Sequence, residues 1–109
     1  MPLLANHIAV VTGAGSGIGR AIASGYAREG ARMVLLDVND KAASEAAREI
    51  RDRGGKAESF SLDVARRDDC IAVAKQIADK VGQVSILVNN AGIVGRNGML
   101  GATEAVIKD

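Results

Sequence analysis

The sequence predicts an α/β protein: a doubly wound parallel sheet, carried as far as strand order 3-2-1-4. Three observations predict it. Short apolar runs closing at Val11, Asp37, Leu62 and Val88 alternate with amphipathic helical patterns, the rhythm of repeated strand-helix-strand units. A glycine-dense turn, Gly13-Ala14-Gly15-Ser16-Gly17-Ile18-Gly19, joins the first run to the first helical pattern. The chain of 109 residues is 48% hydrophobic, yet Tyr26 and Phe60 are its only aromatics. The interior therefore has to be built from Ala, Val, Ile and Leu, which suits helices packed closely on a parallel sheet.

His7 to Val11 is short, apolar and rich in β-branched residues, as a strand buried on both faces should be. Ile18 to Glu29 follows as a helix whose stripe, Ile18, Ala21, Ile22, Gly25 and Tyr26, is set against the sheet. Gly25 would permit close approach to a strand, and Gly30 is placed to cap the helix C-terminus. Arg32 to Asp37 is the second strand, and Asn39 or Asp40 can cap the next helix, Lys41 to Arg53, where Glu49 and Arg53 stand at i,i+4. Gly54-Gly55 ends that helix. Lys56 to Leu62 alternates as an outer strand does, with Ala57, Ser59 and Ser61 on one face and Phe60 and Leu62 on the other. Arg67 to Val81 is a third helix, apolar at Cys70, Val73, Ala74, Ile77, Ala78 and Val81. Cys70 lies on that stripe and reads as a small buried hydrophobe. Val84 to Val88 is a fourth strand, apolar enough to be central. Right-handed crossovers then give the order 3-2-1-4. Beyond Gly92 the composition loosens through Gly95, Gly98 and Gly101, and Thr103 to Asp109 has the pattern of another helix opening.

One such half-sheet is a single domain or part of one; at this length a compact fold buries about two-thirds of its extended surface. The formal net charge is +1 with both signs interspersed, so no field draws the chain to nucleic acid or anionic lipid. No apolar run reaches the ~20 residues of a bilayer span, and the first residues lack a secretory pattern. A cytosolic protein is expected. One cysteine excludes an internal disulfide and a thiolate-rich metal site. His7, the single histidine, belongs at the mouth of the first strand rather than in catalysis.

The chemistry concentrates in the glycine turn. Glycine has no Cβ to obstruct a bulky anion and tolerates positive φ. The helix that follows turns its N–H groups and the positive end of its dipole to the same place, a setting for phosphate. A P-loop is excluded, because no Gly-Lys-Ser/Thr occurs and Arg20 follows Gly19. The strict G-x-G-x-x-G pattern also fails, since its third glycine would fall on Ile18. What stands here is T-G-x-x-x-G-I-G, with glycines at 13, 17 and 19.

That octet resembles the cofactor signature of the short-chain dehydrogenase/reductase family. Three later strand ends agree with it in order: Asp37, then Asp63-Val64, then Asn89-Asn90-Ala91-Gly92. The resemblance runs along essentially the whole chain and identifies it with the N-terminal half of a Rossmann-like domain, residues 1–109. It implies that the backbone of Gly13, Gly17 and Gly19, with main-chain help from Ser16 and Ile18, takes a pyrophosphate. Asp37 would accept the ribose hydroxyls of the adenosine half. A 2′-phosphate would meet that carboxylate instead, with no compensating cation at Ser16 or Val38, so the implied cofactor is NAD rather than NADP. Asp37 can serve as a helix cap as well. Asp63 and Val64 would flank adenine, though Asp63 can equally cap the helix after it. Asn90, Ala91 and Gly92 would line the path to the nicotinamide ribose, while Asn90 has an alternative role tying adjacent strands through its amide.

Hydride transfer in this family uses a serine, a Tyr-x-x-x-Lys pair and an asparagine, acting on an alcohol or carbonyl substrate. None of these maps onto this sequence, because in family order they follow Asp109. Tyr26 has Gly30 where the lysine would stand. No catalytic residue is assigned. The expected function is the NAD-binding half of a dehydrogenase that self-associates, with the fourth strand otherwise left as an open apolar edge. A nucleotide-binding or oligomerisation module without catalysis is the alternative. A methyltransferase fits less well, because Thr12 stands where an acidic residue would lead the glycines.

Overall fold

The computed structural model describes residues 3–90. They form four strands and three helices in strict alternation: β1 (Ile8–Thr12), α1 (Gly17–Arg28), β2 (Arg32–Asp37), α2 (Asp40–Asp52), β3 (Lys56–Ser61), α3 (Arg67–Lys80) and β4 (Ile86–Asn89). The sheet is wholly parallel and its order is β3-β2-β1-β4. Val10 stands in register with Val34 on one side and Leu87 on the other. The expected stretch after Gly92, including the helix opening at Thr103, lies outside the described residues, as do Ala91 and Gly92.

Strand periodicity of two divides the interior into two layers. Ala9, Val11, Met33, Leu35 and Ala57 point to one face, where they meet Ala23, Ala46, Ala47 and Ile50 of α1 and α2. Val10, Val34, Leu36 and Leu62 point to the other, against Val73 and Ile77 of α3. Continuous apolar runs in β1 and β2 thus reflect burial on both sides, as the sequence implies. β3 alternates as expected, with Ala57 on the first face and Phe60 on the second.

Helix ends follow local chemistry. The Asn39 side chain accepts from the Ala42 N–H at 3.0 Å and caps α2. Gly30, at φ 96°, lets its N–H turn back to the Ala27 carbonyl after α1.

Two expectations about α1 need correcting. The sheet-facing stripe of α1 is not Ile18 and Ala21, which are exposed, but Gly19 and Ala23, supported by Ile22, Tyr26 and Ala27. The smallest residues face inward because the helix lies so near the β1 turn that only they fit. For the same reason the close-approach glycine is Gly19 and not Gly25; a Cβ on Gly25 would meet only an Arg28 guanidinium nitrogen at 3.9 Å. Among the described residues β4 pairs with β1 alone, at the end of the expected order, and Ile86 to Asn89 are half-buried.

On the α3 side, next to β4, the layer is open. A groove of about 650 Å³ runs between α3 and the sheet, lined by Val10, Leu36, Val73, Ile77 and Leu87. Ala74 and Ala78, expected within the packed stripe, sit on its exposed wall. Cys70 is half-buried beside it, packed against the second layer. At the opposite end of the strands, the Ser85 hydroxyl lies 2.9 Å from His7 Nδ1 and accepts from the Ile8 N–H at 3.1 Å, fastening the start of β4 to β1.

Candidate functional site

Every sequence-expected site residue within the described range falls at the carboxyl ends of the strands. In an open parallel sheet that is where crevices for ligands form, at the point where strand order reverses. Here the reversal lies between β1 and β4.

The turn after β1 is shaped by positive φ at two positions, Gly13 at 63° and Gly17 at 57°. A Cβ on Gly17 would meet nothing within 4 Å, so its outer surface is open. Gly19 is the opposite case: a Cβ there would stand 2.1 Å from the Gly13 carbonyl oxygen and 2.7 Å from Asn90 Nδ2. The first turn of α1 thereby rests directly on the β1 turn. Ser16 occupies the N-cap position in an extended conformation, but its side chain makes no capping bond, and no acidic residue lies in the first helical turn. The amides at this helix start are therefore left to an incoming group, and the first helical turn itself carries no acidic side chain to repel an anion.

Asp37 ends β2 alongside. Its Oδ2 accepts from the Gly15 N–H at 2.8 Å and its Oδ1 from the Asn39 N–H at 2.9 Å. One carboxylate thus joins the glycine turn to the start of α2. The Ala14 N–H reaches the Leu36 carbonyl at 3.1 Å and reinforces the same junction. Arg20 is turned away toward α2, where its guanidinium meets Glu49 at 3.1 Å.

The β1/β4 side is held by amide and hydroxyl contacts. Thr12 Oγ1 donates to Asn89 Oδ1 at 3.1 Å, and Asn90 Nδ2 donates to the Gly13 carbonyl at 3.3 Å. Asn90 thus braces the turn from the β4 side, the tying role its amide allows. Asp63 follows β3 and closes a local turn, its Oδ1 accepting from the Ala65 N–H at 2.9 Å. It does not cap α3, whose N-cap is Arg66, because three further residues separate it from the helix start. Ile18 at 67%, Val38 at 66% and Val64 at 41% are large apolar side chains exposed at the rim, one beyond each of the first three strands.

Sequence reasoning did not single out Gly15. Its role rests on a neighbour brought in by the fold, and the only signal in the chain is one glycine more than the T-G-x-x-x-G-I-G spacing requires. Among the described residues no group of three or more His, Cys, Asp or Glu could hold a metal ion, and no helix is long and apolar enough to cross a membrane.

Comparison with known proteins agrees with this geometry. The family model for short chain dehydrogenases matches residues 7–109. The uncharacterized oxidoreductase YxbG of Bacillus subtilis is 47% identical over 93 residues, which is 85% of this chain and 34% of that protein. The chain thus spans about a third of the length of this curated relative. A metagenomic short-chain oxidoreductase solved in complex with NADP superposes with a TM-score of 0.78 at 42% identity, covering 82% of this chain and 40% of that one. An oxidoreductase from Haemophilus influenza solved with bound NAD gives a TM-score of 0.74 at 34% identity, covering 77% and 30%.

Proposed function

The chain belongs to the short-chain dehydrogenase family, and we propose from that premise that it supplies the NAD-binding half of an oxidoreductase acting on an alcohol or carbonyl. Membership sets the methyltransferase reading aside. Relatives of the same fold carry NAD in one case and NADP in another, so the choice between them rests on this chain's own residues.

The observation that carries the proposal is the Asp37 carboxylate, held by backbone amides at the open end of the sheet beside the glycine turn. An ionised carboxylate has about four acceptor positions. Two are taken by Gly15 and Asn39, which leaves one on each oxygen, the number two neighbouring ribose hydroxyls need. A 2′-phosphate at the same place meets like charge, and Arg20, the cation that follows the glycines in sequence, is engaged by Glu49. The open outer surface of Gly17 and the α1 start, free of acidic side chains, fit a diphosphate. Gly13, Ser16, Ile18 and Gly19 would present main chain to it. Asp63 and Val64 would flank adenine, and Asn90, followed by Ala91 and Gly92 beyond the described residues, would border the nicotinamide ribose.

When bound, the nicotinamide ring supplies hydride acceptance or donation. This chain's own part is to bind and orient the dinucleotide. The acid-base residues and the substrate pocket belong to the whole protein, and the reading includes a cytosolic location and self-association.

Titration followed by reduced-nicotinamide fluorescence tests the cofactor choice. NADH is expected to bind more tightly than NADPH, and Asp37→Ala to shrink that gap by roughly 10- to 100-fold, the worth of about 1.5–3 kcal/mol for hydrogen bonds to a charged group. Equal affinity of the unaltered chain for the two nucleotides would remove the argument from Asp37. Reading the coding sequence beyond Asp109 separates a dehydrogenase from a binding module: a downstream Tyr-x-x-x-Lys is expected, and its absence there would favour the module.

A further inference from the structure

We propose that Gly15 is a specificity-determining position: its N–H aims the Asp37 carboxylate, and its missing side chain leaves that carboxylate room to stay aimed. The inference rests on the reading of Asp37 given above and adds the residue that sets its orientation.

Gly15 is not a glycine for the sake of backbone conformation. Gly13 and Gly17 on either side of it adopt positive φ, whereas Gly15 is not among the positive-φ residues. What it needs is space. It is buried, and a Cβ there would stand 2.8 Å from Asp37 Oδ2, 2.7 Å from Ala42 Cβ and 3.2 Å from the Ala42 carbonyl carbon. Its own N–H donates to the same Oδ2 at 2.8 Å. The backbone of Gly15 therefore holds the carboxylate at a distance that any side chain on Gly15 would occupy.

The consequence falls unequally on the two nucleotides. Of the three neighbours, the Asp37 side chain is the one able to rotate; Ala42 sits in the first turn of α2, fixed by the Asn39 cap. A methyl group at position 15 pushes the carboxylate aside, weakens its bond to the turn and tilts the two remaining acceptor positions away from a pair of ribose hydroxyls. NADH uses those acceptors. NADPH, with phosphate on the 2′ oxygen, has lost one of the two hydroxyls and brings like charge to the carboxylate. The diphosphate contacts at Gly13, Gly17 and Gly19 are shared by both nucleotides and lie outside this change.

The test measures NADH and NADPH dissociation constants on the full chain, unaltered and as Gly15→Ala, Ala42→Gly and the double variant Gly15→Ala/Ala42→Gly, with thermal melting followed by circular dichroism. Gly15→Ala is expected to weaken NADH about tenfold, the worth of one charge-assisted hydrogen bond, and NADPH by less than about twofold. The double variant removes the closest contact with α2, the Ala42 methyl at 2.7 Å, and recovers part of the melting temperature while leaving the clash with Asp37, so its NADH loss should persist. It also keeps the test open if the single variant folds poorly. Loss of both nucleotides in equal proportion would reduce Gly15 to a packing residue and overturn the proposal, as would an NADH preference that neither variant moves. Unaltered protein without any NADH preference sinks the reading of Asp37 itself, and this inference with it.

Discussion

Gly19→Ala is expected to abolish dinucleotide binding and to cost about 3 kcal/mol of stability, at or beyond the top of the range for overpacking a tight site. The added methyl would lie 2.1 Å from the Gly13 carbonyl oxygen and 2.9 Å from its carbon, both main-chain atoms. Neither can give way cheaply, because Gly13 is fixed at φ 63° and its carbonyl is held by Asn90. The helix would have to lift off the turn, and the amides that face a diphosphate would lift with it. Gly17→Ala is the matched control. It forces a side chain into the left-handed region, a cost of about 1–2 kcal/mol, but meets nothing within 4 Å. Fluorescence titration and thermal melting of the pair check this: Gly19→Ala should fail in both, and Gly17→Ala should fold with a smaller loss. Near-normal binding by Gly19→Ala would mean the helix does not rest on the turn as described.

Leu35→Ala is expected to cost about 3–5 kcal/mol, toward the upper end for a buried leucine. Leu35 is fully buried in β2, in register with Val11 and Ser59, and belongs to the layer packed by Ala46, Ala47 and Ile50. The size of the effect follows from those neighbours. Alanine has no rotamer with which to fill a vacated space, so the cavity stays open and its cost is added to the lost transfer energy. Against the 5–15 kcal/mol that holds a typical domain together, such a loss is a large share. Urea unfolding followed by far-ultraviolet circular dichroism measures it. A change below about 1 kcal/mol would contradict burial of β2 on the face packed by α1 and α2.

Much of this arrangement was legible in the chain. β2 begins and ends where its apolar run does, at Arg32 and Asp37, and the order 3-2-1-4 follows from right-handed crossovers. The Asn39 cap and the Gly30 stop are local chemistry and could be read locally. What escaped depended on distance between elements. Hydrophobicity placed Ile18 on the inner face of α1, yet the governing quantity is the gap between α1 and the β1 turn, which admits only Gly19 and Ala23. Gly25 looked like the contact glycine because it sits mid-helix, while the true contact is at the helix start. Asp63 precedes α3 closely enough to suggest a cap, but a turn through Ala65 intervenes. The bond from Gly15 to Asp37 was hidden for the same reason, since the two become neighbours only after α1 has crossed over, whereas the bond from the Asn39 N–H is local.

The alanines that line the first layer, Ala9, Ala14, Ala23, Ala31, Ala46, Ala47 and Ala57, are each at most 4% exposed. They give the interior an inverted tolerance to sequence drift. In a leucine-rich interior most damage comes from trimming side chains; these alanine positions have almost nothing to trim, while growth by a single carbon branch drives layers apart at about 1–3 kcal/mol each. A saturation library should show this as a one-sided pattern, with Ala→Val or Ala→Leu depleted along α2 and the sheet while Ala→Ser survives. Such a lineage can change its surface away from the glycine turn, but it is confined in volume.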